Sequence, residues 1–154
     1  MNAMRRLLET SPLFGPLVLR VFLGVVMFPH GAQKMLGWFG GHGFSATMQA
    51  FTQGMHIPAP FAFLALFTEF FGSIALILGL LTRLSAFGIA IVMMVAIFTV
   101  HLPNGFFMNW TGTQKGEGFE YHLLMLGMAT ALMVMGGGIC SADRALVGKT
   151  KSRG

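Results

Sequence analysis

Cysteine and charge are what this chain has least of. A single cysteine, Cys140, excludes an internal disulfide, a Cys-x-x-Cys redox pair and a thiolate metal cage. Any electron chemistry therefore needs a bound cofactor, a quinone or a partner protein. Only 5 acidic and 10 basic residues occur in 154, and charged residues make up 10% of the chain against 55% hydrophobic. With a mean hydropathy of +0.72, that balance excludes an ordinary soluble domain. It predicts one integral membrane domain over residues 1–154. The net charge of +5 is not a nucleic-acid footprint, because the basic residues sit at the ends of apolar runs and in the tail, with no patch of interleaved stacking aromatics. Nor is a hydrolase expected: Ser73 and Ser85 have no His and Asp at matching depth, and Cys140 is far from the histidines.

Four apolar runs are present, at about Pro12 to Leu36, Pro60 to Leu81, Leu84 to Leu102 and Glu120 to Gly136. Each approaches the ~20 residues that a bilayer-spanning helix requires. The first is too long for a secretory signal and carries Arg20, so it reads as a retained span. The fold class expected is all-α, an integral membrane four-helix bundle. Four spans put both termini on one side with Arg5, Arg6, Arg83, Arg144, Lys149, Lys151 and Arg153, and leave Lys34 and Lys115 on the other. The positive-inside rule makes the first side cytoplasmic, with a basic tail at 141–154 and two long outer loops, Gly37 to Ala59 and Pro103 to Phe119. The localisation expected is a bacterial inner membrane, crossed several times.

Polar residues inside such runs are expensive in lipid and face the bundle interior. At a rise of ~1.5 Å per residue, Glu69 falls about 13 Å below the outer start of its span and Arg20 about 12 Å above the inner start of the first. The two are therefore expected to pair. Ala65, Glu69, Gly72, Leu76 and Gly79 recur at helical spacing as a face of small residues that lets helices approach, which turns Glu69 inward. His30, His101, Glu120 and His122 fall near the outer ends. Imidazole and carboxylate suit a quinone headgroup, with His on the carbonyl and Glu as proton carrier, or a metal held by His30, His101 and His122. The competing reading is that these histidines cap helix ends. No His-x-x-x-His or Glu-x-x-His motif is present, which counts against the metal. The Gly37 to Gly43 loop lacks a phosphate-cradling pattern and reads as an interfacial lid that, with the loop after His101, roofs a cavity over Glu69. The 13 methionines read as adaptable apolar packing.

Arg20, His30 to Gly41 (HGAQKMLGWFGG), His56 to Pro58 (HIP), Thr68 to Gly72 (TEFFG), Gly79 to Ala86 (GLLTRLSA), Val100 to Phe107 (VHLPNGFF) and Glu120 to Leu126 (EYHLLML) together resemble the DoxX family of small bacterial membrane proteins. The resemblance implies a four-helix membrane domain linked to redox physiology; the family's namesakes include a subunit of a thiosulfate:quinone oxidoreductase. The site expected is Glu69, Arg20, His101 and Glu120 as chemical groups, with His30, Gln33, Lys34, Asn104, Tyr121 and His122 binding the ligand. The function expected is quinone-linked redox chemistry or membrane partnership with an oxidoreductase. The alternative is a non-catalytic anchoring or assembly protein whose polar core only specifies packing. Expected partners are the bilayer, a quinone and a soluble oxidoreductase subunit; nucleic acid is not among them.

Overall fold

The computed structural model describes residues 3–151 and is helical, with no strand among the described residues. Arg153, assigned above to the basic tail, lies outside them. The elements are α1 (Ala3–Leu8), α2 (Gly15–Leu36), α3 (Gly43–Gln49), α4 (Ala59–Phe67), α5 (Ser73–Leu78), α6 (Thr82–Ala96), α7 (Glu120–Met135) and α8 (Ala142–Lys151). Of three π-helical turns among the described residues, the two hereafter called the π turns continue the long helices, Thr68–Gly72 between α4 and α5 and Ile97–His101 after α6. Three continuous helices, Gly15–Leu36, Ala59–Leu78 and Thr82–Asn104, are long and apolar enough to cross a membrane, and α7 is a shorter apolar helix.

Helix α2 starts at Gly15 with Pro16 in its first turn, where a missing N–H costs nothing, and ends at Gly37, whose φ of 75° closes the last turn. It packs on α5, α7 and the π turn at Thr68–Gly72, while α6 lies along α7. The shared core is Leu23, Met27, Leu76, Ala86, Ile89, Met93, Met125, Ala129 and Leu132. Phe22, Val25, Phe61, Phe67, Phe98, Leu124 and Val134 point outward and stay exposed. Water would not tolerate so broad an apolar belt on a lone chain, whereas acyl chains would.

Two glycines set how α2 meets its antiparallel neighbour. A Cβ on Gly31 would lie 2.7 Å from the carbonyl carbon and oxygen of Glu69, and one on Gly24 would lie 2.7 Å from the Ser73 carbonyl oxygen. Gly31 is therefore level with Glu69, and the chain direction puts Arg20 near the far end of α5.

Arg20 does not pair with Glu69. Its guanidinium donates from Nε to the Gly137 carbonyl (2.9 Å), from Nη1 to those of Leu76 (3.1 Å) and Ile77, and from Nη2 to that of Cys140 (2.7 Å). The carbonyls of the last turn of α5 are only partly met by the backbone, with Gly79 N–H bonding that of Leu76 at 3.1 Å, and a cation is well placed there. The expected pairing failed because Gly31 is the α2 residue level with Glu69, which leaves Arg20, eleven residues earlier, about 16 Å away along the helix; α2 also begins three residues later than its apolar run. Arg20 therefore sits about 7 Å from the helix start, and not at the depth of Glu69.

Asp143, only 1% exposed, completes this end. Its Oδ1 and Oδ2 accept the N–H groups of Leu81 (2.7 Å) and Thr82 (2.9 Å), so the chain after α7 caps the start of α6. Arg83 donates to the carbonyls of Glu9 (3.1 Å from Nε) and Met133. Both ends of the described chain and the turn at residues 79–82 thus meet at one pole, the tail pole; the loop at 105–119 lies at the other. Two stretches expected to lack structure are partly helical: α3 and a π turn at Ala50–Gly54 occupy the first long loop, and α8 most of the tail.

Candidate functional site

Between the helices, toward the loop pole, is a cavity of about 320 Å³ lined by Met27, His30, Lys34, Glu69, Met93, Ala96, His101, Met108, Glu117, Tyr121 and His122. Six of these polar side chains come from the set read from the sequence, and they arrive from α2, both π turns and α7. The loop Gly37 to Gly43 contributes nothing to the lining; the loop after His101 contributes Met108 and Glu117.

Lys34 is the partner of Glu69. Its Nζ donates to Oε2 in an ion pair whose carboxylate side chain is 4% exposed. Lys34 lies three residues beyond Gly31, a rise of about 4.5 Å, and its flexible stem spans that step back to Glu69. The small face predicted around Glu69 turns it inward as expected, and the π turn then carries the carboxylate toward α2 and the cavity.

His101 and His122 are in ring contact, with centroids 4.0 Å apart and planes inclined at 42°. Tyr121 adds contacts to His122 (5.6 Å) and His30 (6.4 Å), so four rings run across the cavity. His101 Nδ1 donates to the Glu117 backbone carbonyl at 2.8 Å. The Tyr121 hydroxyl and His122 Nδ1 are buried with no hydrogen-bond partner. A buried polar atom left unpaired costs roughly 1–3 kcal/mol, so these two side chains are set up for a partner the polypeptide does not supply.

Three residues expected at the site serve the loops around it instead. Glu120 Oε1 accepts the N–H of Met108 (3.1 Å) and the indole N–H of Trp110 (3.3 Å). Asn104 Nδ2 donates to the carbonyls of Val100 (3.3 Å) and Glu117 (3.1 Å). Gln33 Nε2 donates to the Phe39 carbonyl at 3.2 Å. Because α7 starts at Glu120, Glu120 and His122 point about 200° apart on the first turn, and only His122 turns inward. Glu117 was not anticipated: nothing in the spacing of a Gly-rich loop marks which residue folds back over His101.

A metal cage does not form. Among the described residues no group of three or more His, Cys, Asp or Glu side chains is arranged to hold a metal ion, and His101 and His122 meet through their ring faces. The donors suit an uncharged organic ligand better: an ion pair already neutral, a phenol, imidazoles, and apolar walls from Met27, Met93 and Ala96.

Apolar helices enclosing such a cavity define a helical membrane protein. The DoxX family model matches residues 15–102, and the chain belongs to the DoxX family. It is also 31% identical over 118 residues, 77% of this chain and 78% of the other, to a protein of Bacillus subtilis (strain 168) named "Putative oxidoreductase CatD". No solved structure matches significantly.

Proposed function

We propose that this chain is a four-span protein of the bacterial inner membrane whose cavity holds a quinone headgroup, and that it works in quinone-linked redox chemistry, alone or as the membrane partner of a soluble oxidoreductase. The observation that carries this reading is the pair of unpartnered buried groups, the Tyr121 hydroxyl and His122 Nδ1, on side chains lining a cavity that also holds Lys34, Glu69 and His101. The oxidoreductase name of the Bacillus relative points the same way. A bound quinone would supply two-electron, two-proton chemistry, which no side chain here provides. Tyr121 and Lys34 would donate to its oxygens, and His101 and Glu69 would hold protons beside them.

Four spans place both termini with Arg83 and Arg144 in the cytoplasm and open the cavity toward the outer leaflet. At about 320 Å³ the cavity is at the small end of ligand sites, the size for one ring and not for an isoprenoid tail.

The test is purification in mild detergent, mass spectrometry of the organic extract, and an absorption spectrum before and after adding a reductant. The reading expects a co-purifying quinone that is depleted in a folded His122→Leu variant. Protein that carries no quinone and retains none when a benzoquinone is added contradicts it.

The second reading, a non-catalytic anchoring or assembly protein, draws on Arg20, each guanidinium nitrogen of which donates to a backbone carbonyl at the tail pole. Arg20 is accordingly assigned to packing. The unpartnered groups at the loop pole are what the second reading leaves unexplained.

A further inference from the structure

We infer that the cavity takes the reduced, dihydroxy form of a single-ring quinone in preference to the oxidised, dicarbonyl form, an inference that rests on the quinone reading above. It starts from the tautomer of His101. Nδ1 lies 2.8 Å from the backbone carbonyl oxygen of Glu117, and a carbonyl oxygen only accepts, so Nδ1 carries the proton. In the neutral ring Nε2 is then a bare acceptor, on a side chain that lines the cavity.

Glu69 supplies a second fixed acceptor. Lys34 takes one carboxylate oxygen, Oε2, and the other keeps its lone pairs. Against these stand the donors, the remaining N–H groups of Lys34 and the Tyr121 hydroxyl, which has no partner; His30 and His122, neutral, each add one N–H and one acceptor and so can serve either form.

The two redox forms of a quinone ring meet this set differently. A ring hydroxyl both donates and accepts, so it can donate to His101 Nε2 or Glu69 and still accept from Lys34 or Tyr121. A ring carbonyl only accepts. Placed against His101 or Glu69 it sets lone pair against lone pair, and only Lys34, Tyr121 and the single N–H of His30 or His122 can serve it. The reduced form therefore satisfies groups that the oxidised form leaves buried and unpaired, and an unpaired buried group is the larger loss. The backbone carbonyl of Glu117 acts as a positioning group: by fixing the His101 tautomer it sets which form is preferred. Asn104 Nδ2 donates to that same carbonyl at 3.1 Å.

The test uses the full chain in detergent under anaerobic conditions, titrated separately with tetramethylhydroquinone and tetramethyl-1,4-benzoquinone, with binding read by calorimetry. The hydroquinone is expected to bind tighter by about tenfold or more, the effect of one satisfied hydrogen bond against one lost. In His101→Phe most of that difference should vanish while the benzoquinone still binds, which also shows that the variant is folded. Equal affinities, or tighter binding of the benzoquinone, overturn the inference and leave the quinone reading standing. Binding of neither overturns the quinone reading, and this inference with it. A preference that persists in folded His101→Phe overturns the role given to His101. The comparison in the unaltered protein decides the preference whether or not the variant folds.

Discussion

Arg20 and Lys34 are both cations on α2, yet they answer to different physics. Arg20 is 2% exposed, and its planar fork is spent on four carbonyls, of which only that of Leu76 also accepts a backbone N–H, from Gly79, a task suited to the geometry of a guanidinium. Substituting Arg20→Met takes the donor away from the carbonyls of Ile77, Gly137 and Cys140, while that of Leu76 keeps the Gly79 N–H. The expected loss is roughly 2–4 kcal/mol, read as a lower melting temperature in detergent, with ligand binding per folded molecule unchanged. Asp143→Ala removes the cap of α6 and should cost about 1–2 kcal/mol in the same assay. Lys34 instead neutralises a carboxylate inside the bundle. Lys34→Met strands the Glu69 charge and should cost roughly 3 kcal/mol. The double variant Lys34→Met with Glu69→Leu removes both charges and is expected to be more stable than Lys34→Met alone. A double variant less stable than both single ones would show that the pair is not coupled as described.

At the scale of elements, the two π turns and the loop at 105–119 make the site. The turns at Thr68–Gly72 and Ile97–His101 hold Glu69 and His101, and a π turn breaks the regular phase of a helix at a point often used for function. The loop closes on itself through N–H bonds from Gly118 to Phe107 (3.2 Å), Phe119 to Gly105 (3.2 Å) and Glu120 to Phe106 (2.9 Å). Glu120 latches it further through Met108 and Trp110. Glu120→Ala should therefore speed amide exchange over residues 106–119 and hasten ligand release, leaving α6 and α7 protected. Contact between α2 and the π turn at Thr68–Gly72 depends on Gly31, where Ala would press a methyl against backbone that cannot yield. Gly31→Ala is expected to lose about 1–3 kcal/mol and to separate Lys34 from Glu69.

Much of this was legible from composition and spacing. Apolar runs of the right length located the helices, and the small face around Glu69 turned it inward. His30, Lys34, Glu69, His101, Tyr121 and His122, all singled out in the sequence, line the cavity. What misled was depth. Counting from the edges of the apolar runs does not give the register between helices, which the close approach of Gly31 to Glu69 sets, and so it placed Arg20 opposite the wrong residue. Loop residues were the other gap: Glu117 enters the cavity, and Gln33, Asn104 and Glu120 leave it, through folding-back that helical periodicity does not encode. The cap from Asp143 joins positions 61 and 62 residues apart, so no local pattern announces it.

For the whole molecule, the two poles divide the work. The tail pole is a closed knot in which Arg20, Arg83 and Asp143 tie α1, α5, α6 and the segment after α7 together, and it holds the bundle ends in register. The loop pole is open enough to keep a cavity. Reporter fusions active only in the cytoplasm, or only outside it, are expected to place both termini in the cytoplasm; termini on opposite sides would reject the four-span topology. The claim on which the account rests is that groups from α2, both π turns and α7 serve one ligand. Photo-crosslinking with an azido-benzoquinone, followed by peptide mapping, tests it most directly. Label is predicted within residues 27–34, at Glu69, and within 93–101 and 117–122, and unlabelled tetramethyl-1,4-benzoquinone should compete it away. Label confined to the outward aromatic face of Phe63, Phe67 and Phe71, and indifferent to competitor, would contradict it.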